Sequence, residues 1–380
     1  MRTLIIDGNF FGQRVLRALP DITFKVYPDE EKKEFLKACC NHLTNYLEQN
    51  KGIIENVVIV KDSRSWRRQV PIIRPNTTTP ECDYKANRDE RMEEEVVDMR
   101  IFFETLEEFF KTLHEKFNVP YTCVYGAEGD DAIWAWTKML KGLNRHSMIY
   151  CTDSDMNQLV NSHTIIHRQV KTKEAQTGGE VIVDKTYWED KNSIKEIDIF
   201  SDNTCFWGAE EELIGGRQLG KQIFIANPFW NVFKKMFTGD GKDNVPSAHI
   251  WNRIVKTTGA TQTCKLTENM VEKAIEGVLV GPWETCEDFL YDTELHRDIL
   301  ICIAKMKGLD IDIEKSLAVV QNNRKLLYLN HKEIDENVVK DLVTNIKPQL
   351  DKYAQVSKLR SSTHILNAFG LSSVTYFENF

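Results

Sequence analysis

Three short β-branched runs lead into acids: Leu4-Ile5-Ile6-Asp7, Val58-Ile59-Val60-Lys61-Asp62, and Ile149-Tyr150-Cys151 continuing into Thr152-Asp153-Ser154-Asp155. With Thr122 to Tyr125 they form a set of strand candidates separated by longer helical patterns. That alternation is the signature of a largely parallel sheet covered by helices. Phe35, Leu36, Cys39, Cys40, Leu43 and Leu47 recur at helical spacing, as do Met99, Phe102, Leu106, Phe109, Leu113 and Phe117. In parallel α/β sheets ligands sit at the carboxyl ends of the strands, where these acids fall.

Two further clusters carry acids. Gly126-Ala127-Glu128-Gly129-Asp130-Asp131 lies between the strand Thr122 to Tyr125 and the helical stretch Ala132 to Leu140, and Gly239-Asp240-Gly241-Lys242-Asp243-Asn244 opens a helical second half. Taken singly, acids at such places serve as turn and N-cap residues. A convergent set behaves differently, because carboxylates a few ångströms apart repel by roughly 4 kcal/mol per pair at an effective dielectric near 20. They stay ionised together only with cations between them. Hard oxygen ligands select Mg²⁺, with Mn²⁺ as a substitute. This many acids leave room for two ions about 4 Å apart, the arrangement that stabilises both the attacking and the leaving oxygen of a phosphodiester displacement.

A chain of 380 residues, one tenth aromatic, is long enough for two domains with a sizeable core. The expected division is an α/β domain over residues 1–222 and a helical domain over 223–380, with a soft boundary in the weakly patterned, Gly-containing stretch 201–220. Gln169 to Val183 reads as a polar hairpin turning at Gly178 and Gly179. No stretch approaches the roughly 20 apolar residues that cross a bilayer, so a soluble, cytoplasmic monomer without a membrane partner is expected. Nine scattered cysteines with no CxxC pair suit reduced thiols better than disulfides or zinc, and no histidine sits in a zinc pattern.

The net charge of -8 argues against a polyanionic partner. Setting nine carboxylates aside as a metal site leaves the remainder close to neutral, so the charge is a poor veto. Arg64, Arg67, Arg68, Arg74, Lys85, Arg88 and Arg91 fall close together, with Trp66 and Tyr84 among them. This segment is the candidate phosphate-contacting surface.

The motifs Ile5-Ile6-Asp7-Gly8-Asn9, Lys61-Asp62 with Trp66-Arg67-Arg68, Tyr84-Lys85-Ala86-Asn87-Arg88, the Glu128 to Asp131 cluster, Thr152-Asp153-Ser154-Asp155 with Gln158-Leu159, and Gly239 to Pro246 occur in the order of a known family. The chain resembles the 5′ nucleases: phage 5′ exonucleases, the RNase H of T-even bacteriophages, the 5′ nuclease domain of bacterial DNA polymerase I, and flap endonucleases. Trp66-Arg67-Arg68 and the closing Phe369-Gly370-Leu371-Ser372 look most like the phage RNase H branch.

The resemblance implies a PIN-like, Rossmann-like sheet with a helical arch over about 63–118 and an all-helical C-terminal domain carrying a helix-hairpin-helix. It implies that Asp7, Asp62, Glu128, Asp130, Asp131 and Asp153 surround one ion, while Asp155, Asp240 and Asp243 hold a second with help from Asp153. Lys85 and Arg88 would draw the scissile phosphate onto the metals, and Tyr84 would stack on or orient the adjacent nucleotide. Arg64, Arg67, Arg68, Lys242 and Asn244 would contact nucleic acid.

The implied substrates are DNA and RNA:DNA hybrids with 5′ ends or flaps, the implied role RNA primer removal in phage replication, and the implied partners a single-strand DNA-binding protein and a sliding clamp. Ser247 departs from the glycine of many members, which puts a potassium-assisted backbone contact in doubt. Gly129 replaces a common alanine with little expected effect.

Gly215-Gly216-Arg217-Gln218-Leu219-Gly220-Lys221 has P-loop spacing, but Gln222 replaces the Mg²⁺-binding hydroxyl. Phe102, Phe103, Phe109 and Phe110 are placed in the core rather than in a base-stacking wedge. Two rival readings remain: a PIN-type endoribonuclease, and a catalytically silent protein that binds branched DNA.

Overall fold

The computed structural model describes residues 1–77, 79–86, 96–173, 180–189, 221–225, 228–255, 257–278 and 287–371. Arg88, the P-loop-like stretch up to Gly220, the turn at Gly178 and Gly179 and the final residues 372–380 lie outside them.

The apolar runs form a seven-stranded sheet, ordered β3-β2-β1-β4-β5-β6-β7. Its strands are β1 (Arg2–Asp7), β2 (Ile54–Val60), β3 (Tyr121–Thr122), β4 (Ser147–Tyr150), β5 (Thr164–Lys173), β6 (Glu180–Glu189) and β7 (Lys221–Ile225). Every pairing is parallel except β5 with β6, the expected hairpin, whose register runs from Ile166↔Tyr187 to Lys173↔Glu180. The expected domain boundary at 222 falls inside β7.

Alternate residues of the central strands enter two cores, as the two-residue period requires. Ile5, Val58 and Ile149 face one side, while Leu4, Ile6, Val57, Ile59, Met148 and Tyr150 face the other. The second side is covered by α1 (Gly8–Arg17), α2 (Pro28–Gln49) and α3 (Met99–Phe117). Phe102, Phe109 and Phe110 are fully buried there, whereas Phe103 is only partly covered. The end of the expected arch, α3, is therefore a sheet-covering helix.

The first core is shared by α4 (Gly129–Gly142), α5 (Trp230–Thr238), α6 (Glu268–Glu276), α7 (Thr293–Lys307), α8 (Ile313–Leu327) and α9 (Glu336–Ile346). The chain then crosses back. Short helices α10 (Val356–Leu359) and α11 (Ser362–Ala368) join the opposite core, where Thr44 donates to the Leu359 carbonyl and Arg360 to the Ile54 carbonyl. Among the described residues no helix is long and apolar enough to cross a membrane.

The C-terminal region is helical as expected, with one difference. After α5, where the resemblance implied a helix-hairpin-helix following the Gly-Asp motif, the chain forms an antiparallel ribbon, β8 (Ile250–Ile254) with β9 (Thr261–Lys265), and the next helix begins only at Glu268. Trp251, Ile254, Thr261 and Thr263 are residue types that favour extended backbone.

Candidate active site

The parallel register brings the acids to one edge of the sheet. Asp7 pairs with Val60 at the ends of β1 and β2, so Asp62 emerges two residues beyond, and Ile6 pairs with Tyr150, which places Asp153 just past β4. Local structure then aims them. Asp7 caps α1 by accepting from the Phe10 amide at 3.0 Å. Asp153 caps the 3₁₀ turn Ser154–Leu159 by accepting from the Asp155 amide at 2.9 Å. Glu128 is the N-cap residue of α4, and Asp130 lies in its first turn.

Asp7, Asp62, Glu128, Asp130, Asp153, Asp155 and Asp243 line one cleft of about 740 Å³, together with Lys85 and Lys242. Asp240 adjoins it. The loop that carries Asp240 and Asp243 turns at Gly239, whose φ is +73° and where a Cβ would fall 2.5 Å from the Pro246 carbonyl. Glycine is the residue that this turn permits.

Carboxylates crowded into a cleft hold their protons more tightly. Burial, then the charges of Asp62 and Asp153, raise Asp7 to about 7. Burial, then Asp153, raise Asp130 well above the usual range. Asp62, although open to solvent on one side, is raised by partial desolvation among its neighbours, opposed by Lys85 and reinforced by Glu128. Burial raises Asp155 to about 6 against the pull of Lys235. For Asp240 burial also pushes up, but hydrogen bonds and charge from Lys235 and Lys242 outweigh it and the group is lowered.

Besides Lys242, two ammonium groups pair with these acids. Lys85 hydrogen-bonds Glu128, and its Nζ lies 3.9 Å from Asp243. Its backbone has φ +58°, an uncommon conformation for a side-chain-bearing residue, and its amide donates a hydrogen bond to the Asp243 carbonyl of the Gly-Asp loop at 3.0 Å. Lys235 bridges Asp155 at 2.6 Å and Asp240 at 2.7 Å. Asn9 and the Gly129 amide both donate to Asp62.

Among the described residues, no three acidic, imidazole or thiol groups as they stand converge closely enough to grip one ion. The donor set nonetheless fits hard divalent cations. It is all oxygen, with no histidine or cysteine among the acids, and its mutual repulsion is what a cation relieves.

Several expected contacts are corrected by burial. Asp131 is fully buried, accepting from Arg67 Nη1 and Nη2 at 2.9 and 2.7 Å and from the Glu128 amide at 3.1 Å. It is the capping-box partner of α4 and does not line the cleft. Arg67, 1% exposed, donates also to Glu128 at 3.0 Å and so is no phosphate contact. Tyr84, 3% exposed, turns its hydroxyl to Asp243 at 3.3 Å and Glu128 at 3.4 Å, beneath the surface where a nucleotide would stack. Asn244 donates to the side chain and carbonyl of Asp83, at 2.8 and 3.0 Å, and holds the Lys85 segment in place.

Arg64 and Arg68 line a separate groove with Tyr125 and Lys325. Gly129 matters more than expected, since a Cβ there would fall 2.7 Å from Asp62 Oδ1. Lys235 and Asn9 were given no role by sequence reasoning. Asn9 lies inside the first motif, and Lys235 stands five residues before Asp240, which is the signal available for each.

A resolvase-like α/β domain whose strands deliver a cluster of acids to one edge defines a class of protein, and residues 2–190 match the family model "5′-3′ exonuclease, N-terminal resolvase-like domain". The chain belongs to the 5′-3′ exonuclease family. No curated protein sequence matches it.

Among solved structures, it is similar to the bacteriophage T5 D15 protein co-crystallised with metal ions, with 15% identity over 92% of this chain and 100% of that one at a TM-score of 0.46. The T5 5′-exonuclease with bound zinc shares 14% identity over 97% and 99%, with a TM-score of 0.45. The T5 flap endonuclease in a pseudo-enzyme-product complex with DNA and metal ions shares 16% over 92% and 99%, also at 0.45.

Proposed function

We propose that the protein is a divalent-metal-dependent 5′ to 3′ exonuclease and flap endonuclease that hydrolyses phosphodiesters near the 5′ ends of DNA and RNA:DNA duplexes. RNase H activity and RNA primer removal in phage replication belong to the same reading. The observation that carries it is the delivery of seven carboxylates to one cleft from four strand ends and the Gly-Asp loop, with Lys85 joining them from the segment between β2 and α3.

Asp7, Asp62, Glu128, Asp130 and Asp153 form the group that would hold one Mg²⁺, and Asp153, Asp155, Asp240 and Asp243 the group for a second. Bound there, divalent ions would supply Lewis acidity, lowering the pKa of a water and offsetting charge on the phosphoryl oxygens.

The chain's own residues do the rest. Lys85 supplies a fixed positive charge where the pentavalent phosphate accumulates negative charge. Arg67 and Tyr84 hold Glu128 in place from below, and Asn9 with the Gly129 amide orients Asp62. Lys242, exposed on the cleft rim, faces the incoming backbone. The proposed partners beyond nucleic acid are a single-strand DNA-binding protein and a sliding clamp.

The test is cleavage of a labelled 5′-flap duplex and a 5′-recessed RNA:DNA hybrid, in Mg²⁺ and in EDTA, by wild type and Asp153→Asn. Short 5′ products that need both the metal and Asp153 support the nuclease. Binding without cutting would favour the catalytically silent binder of branched DNA instead.

A further inference from the structure

A second groove, of about 640 Å³, runs between the 3₁₀ turn Trp66–Gln69, the loop after β3, the end of α8 and the start of α9. Small-molecule sites occupy roughly 300–1,000 Å³. The walls of this groove are tied to one another. The Trp66 amide donates to the Gly126 carbonyl at 2.8 Å, and Asn322 of α8 accepts from the Ile73 amide and donates to the Pro71 carbonyl, both at 3.0 Å. Asp335 caps α9 by accepting from the Asn337 and Val338 amides at 2.9 and 3.3 Å. The groove is therefore preformed by the fold.

Its lining is chemically mixed. Arg64, Arg68 and Lys325 bring positive charge, and Arg64 and Lys325 have no acidic partner among the described residues. Tyr125 is 78% exposed, and its ring meets no other ring or cation among the described residues. Trp66 also lines the groove and is only 9% exposed, yet its buried Nε1 has no hydrogen-bond partner among them. An indole N–H can only donate, and buried donors in folded proteins are nearly always paired. Asp341, on the facing wall, can only accept and is likewise unpaired among the described residues.

We infer that this groove binds a mononucleotide, with the phosphate at Arg64 and Lys325, the base against Tyr125, and the donors of sugar or base at Asp341. Bare phosphate would leave the aromatic side chains unused. A continuous strand would carry phosphates past Asp335 and Asp341, which repel them. A mononucleotide has one anionic end and one neutral end that stacks and hydrogen-bonds, matching the two kinds of lining. The groove backs onto the acidic cleft without being part of it, because the Arg67 guanidinium lies 4.8 Å from the centre of the Trp66 ring and in turn holds Glu128. Phosphodiester cleavage needs no free nucleotide, so this site adds to the proposed function.

The test is equilibrium dialysis of the full chain with labelled AMP in EDTA, with adenosine, inorganic phosphate and a short single-stranded DNA as competitors. Wild type is compared with Tyr125→Ala, Arg64→Gln/Lys325→Gln and the cleft variant Lys85→Ala, and melting curves confirm that each is folded. All readouts are of binding without metal, so they stand whether or not the chain cuts.

Saturable AMP binding is expected, weakened on the order of tenfold by Tyr125→Ala, the worth of one stacked base, and by a similar factor or more in Arg64→Gln/Lys325→Gln, which loses charge-assisted hydrogen bonds. Lys85→Ala should bind as wild type does, and adenosine and phosphate should each compete far more weakly than AMP. The inference is overturned by no binding at millimolar AMP, by affinity unchanged in both groove variants, or by loss of binding in Lys85→Ala, which would put the nucleotide in the cleft. Phosphate competing as well as AMP would reduce the groove to an anion site, and a single strand displacing AMP more effectively than AMP itself would make it a strand path; either result also refutes it.

Discussion

Replacing Arg67 with methionine separates a structural guanidinium from a phosphate-binding one. Arg67 makes three hydrogen bonds of 2.7 to 3.0 Å to Asp131 and Glu128, and its guanidinium lies 4.8 Å from the centre of the Trp66 ring. Glu128 retains Lys85 in the variant, but Asp131 is left fully buried with only the Glu128 amide. Removing one partner of a buried ion pair costs about 3–5 kcal/mol.

The helices after Trp230 share a core with the sheet, so the chain is treated as unfolding together. An unfolding entropy of about 2.1 cal/mol/K per residue over 380 residues converts that cost to a fall in Tm of about 4–6 °C. The double variant Arg67→Met/Asp131→Leu should recover most of it, because apolar replacement of a whole buried pair is often neutral.

Thermal melting of the three proteins, with DNA binding in Ca²⁺ over a salt series, checks both halves. The salt slope of Arg67→Met should match wild type. An unchanged Tm together with a slope shallower by about one would return Arg67 to the phosphate-contacting surface and refute the reasoning.

Lys85→Ala should slow the chemical step by orders of magnitude in single-turnover cleavage while substrate binding in Ca²⁺ is largely kept; unchanged turnover would remove Lys85 from the active site. Lys235→Met removes the ammonium between Asp155 and Asp240, so the metal-free variant should melt below wild type and gain more Tm from added Mg²⁺ or Mn²⁺. An equal metal-induced shift in both proteins would contradict this. His296, fully buried with Nε2 2.9 Å from the Phe289 carbonyl, is lowered by burial to about 4.

For His296 the unfolded chain binds the proton first as pH falls, so this group's contribution is complete above its ordinary value of about 6.5. It is lost between there and 4, amounting to about 3 kcal/mol. His296→Gln should flatten that part of the stability–pH curve measured by urea unfolding; an undiminished slope would show that other groups cause it.

The strand-then-acid pattern was enough to place a parallel sheet and to bring Asp7, Asp62 and Asp153 to its carboxyl edge, because apolar runs mark each strand locally and helices between successive strands return the chain in the same direction, so that the strand ends share one edge. The helical stripes of α2 and α3 were equally legible, since buried Phe, Leu and Cys at helical spacing need only one apolar face to pack on. β8 and β9 were not, because their alternation follows no core.

What depended on tertiary structure was the use made of each charge. A basic residue in a sequence looks the same whether it meets phosphate or a buried acid. Arg67 was turned inward by Asp131, 64 residues away, and Lys235 was drawn to Asp155, 80 residues away. Such pairings exist only once the sheet and helices have met, and burial then makes it costly to remove either partner alone. The sequence by itself determined which groups could do chemistry and at which edge they would gather; packing decided which acids stayed in the cleft and which cations were consumed in holding them there.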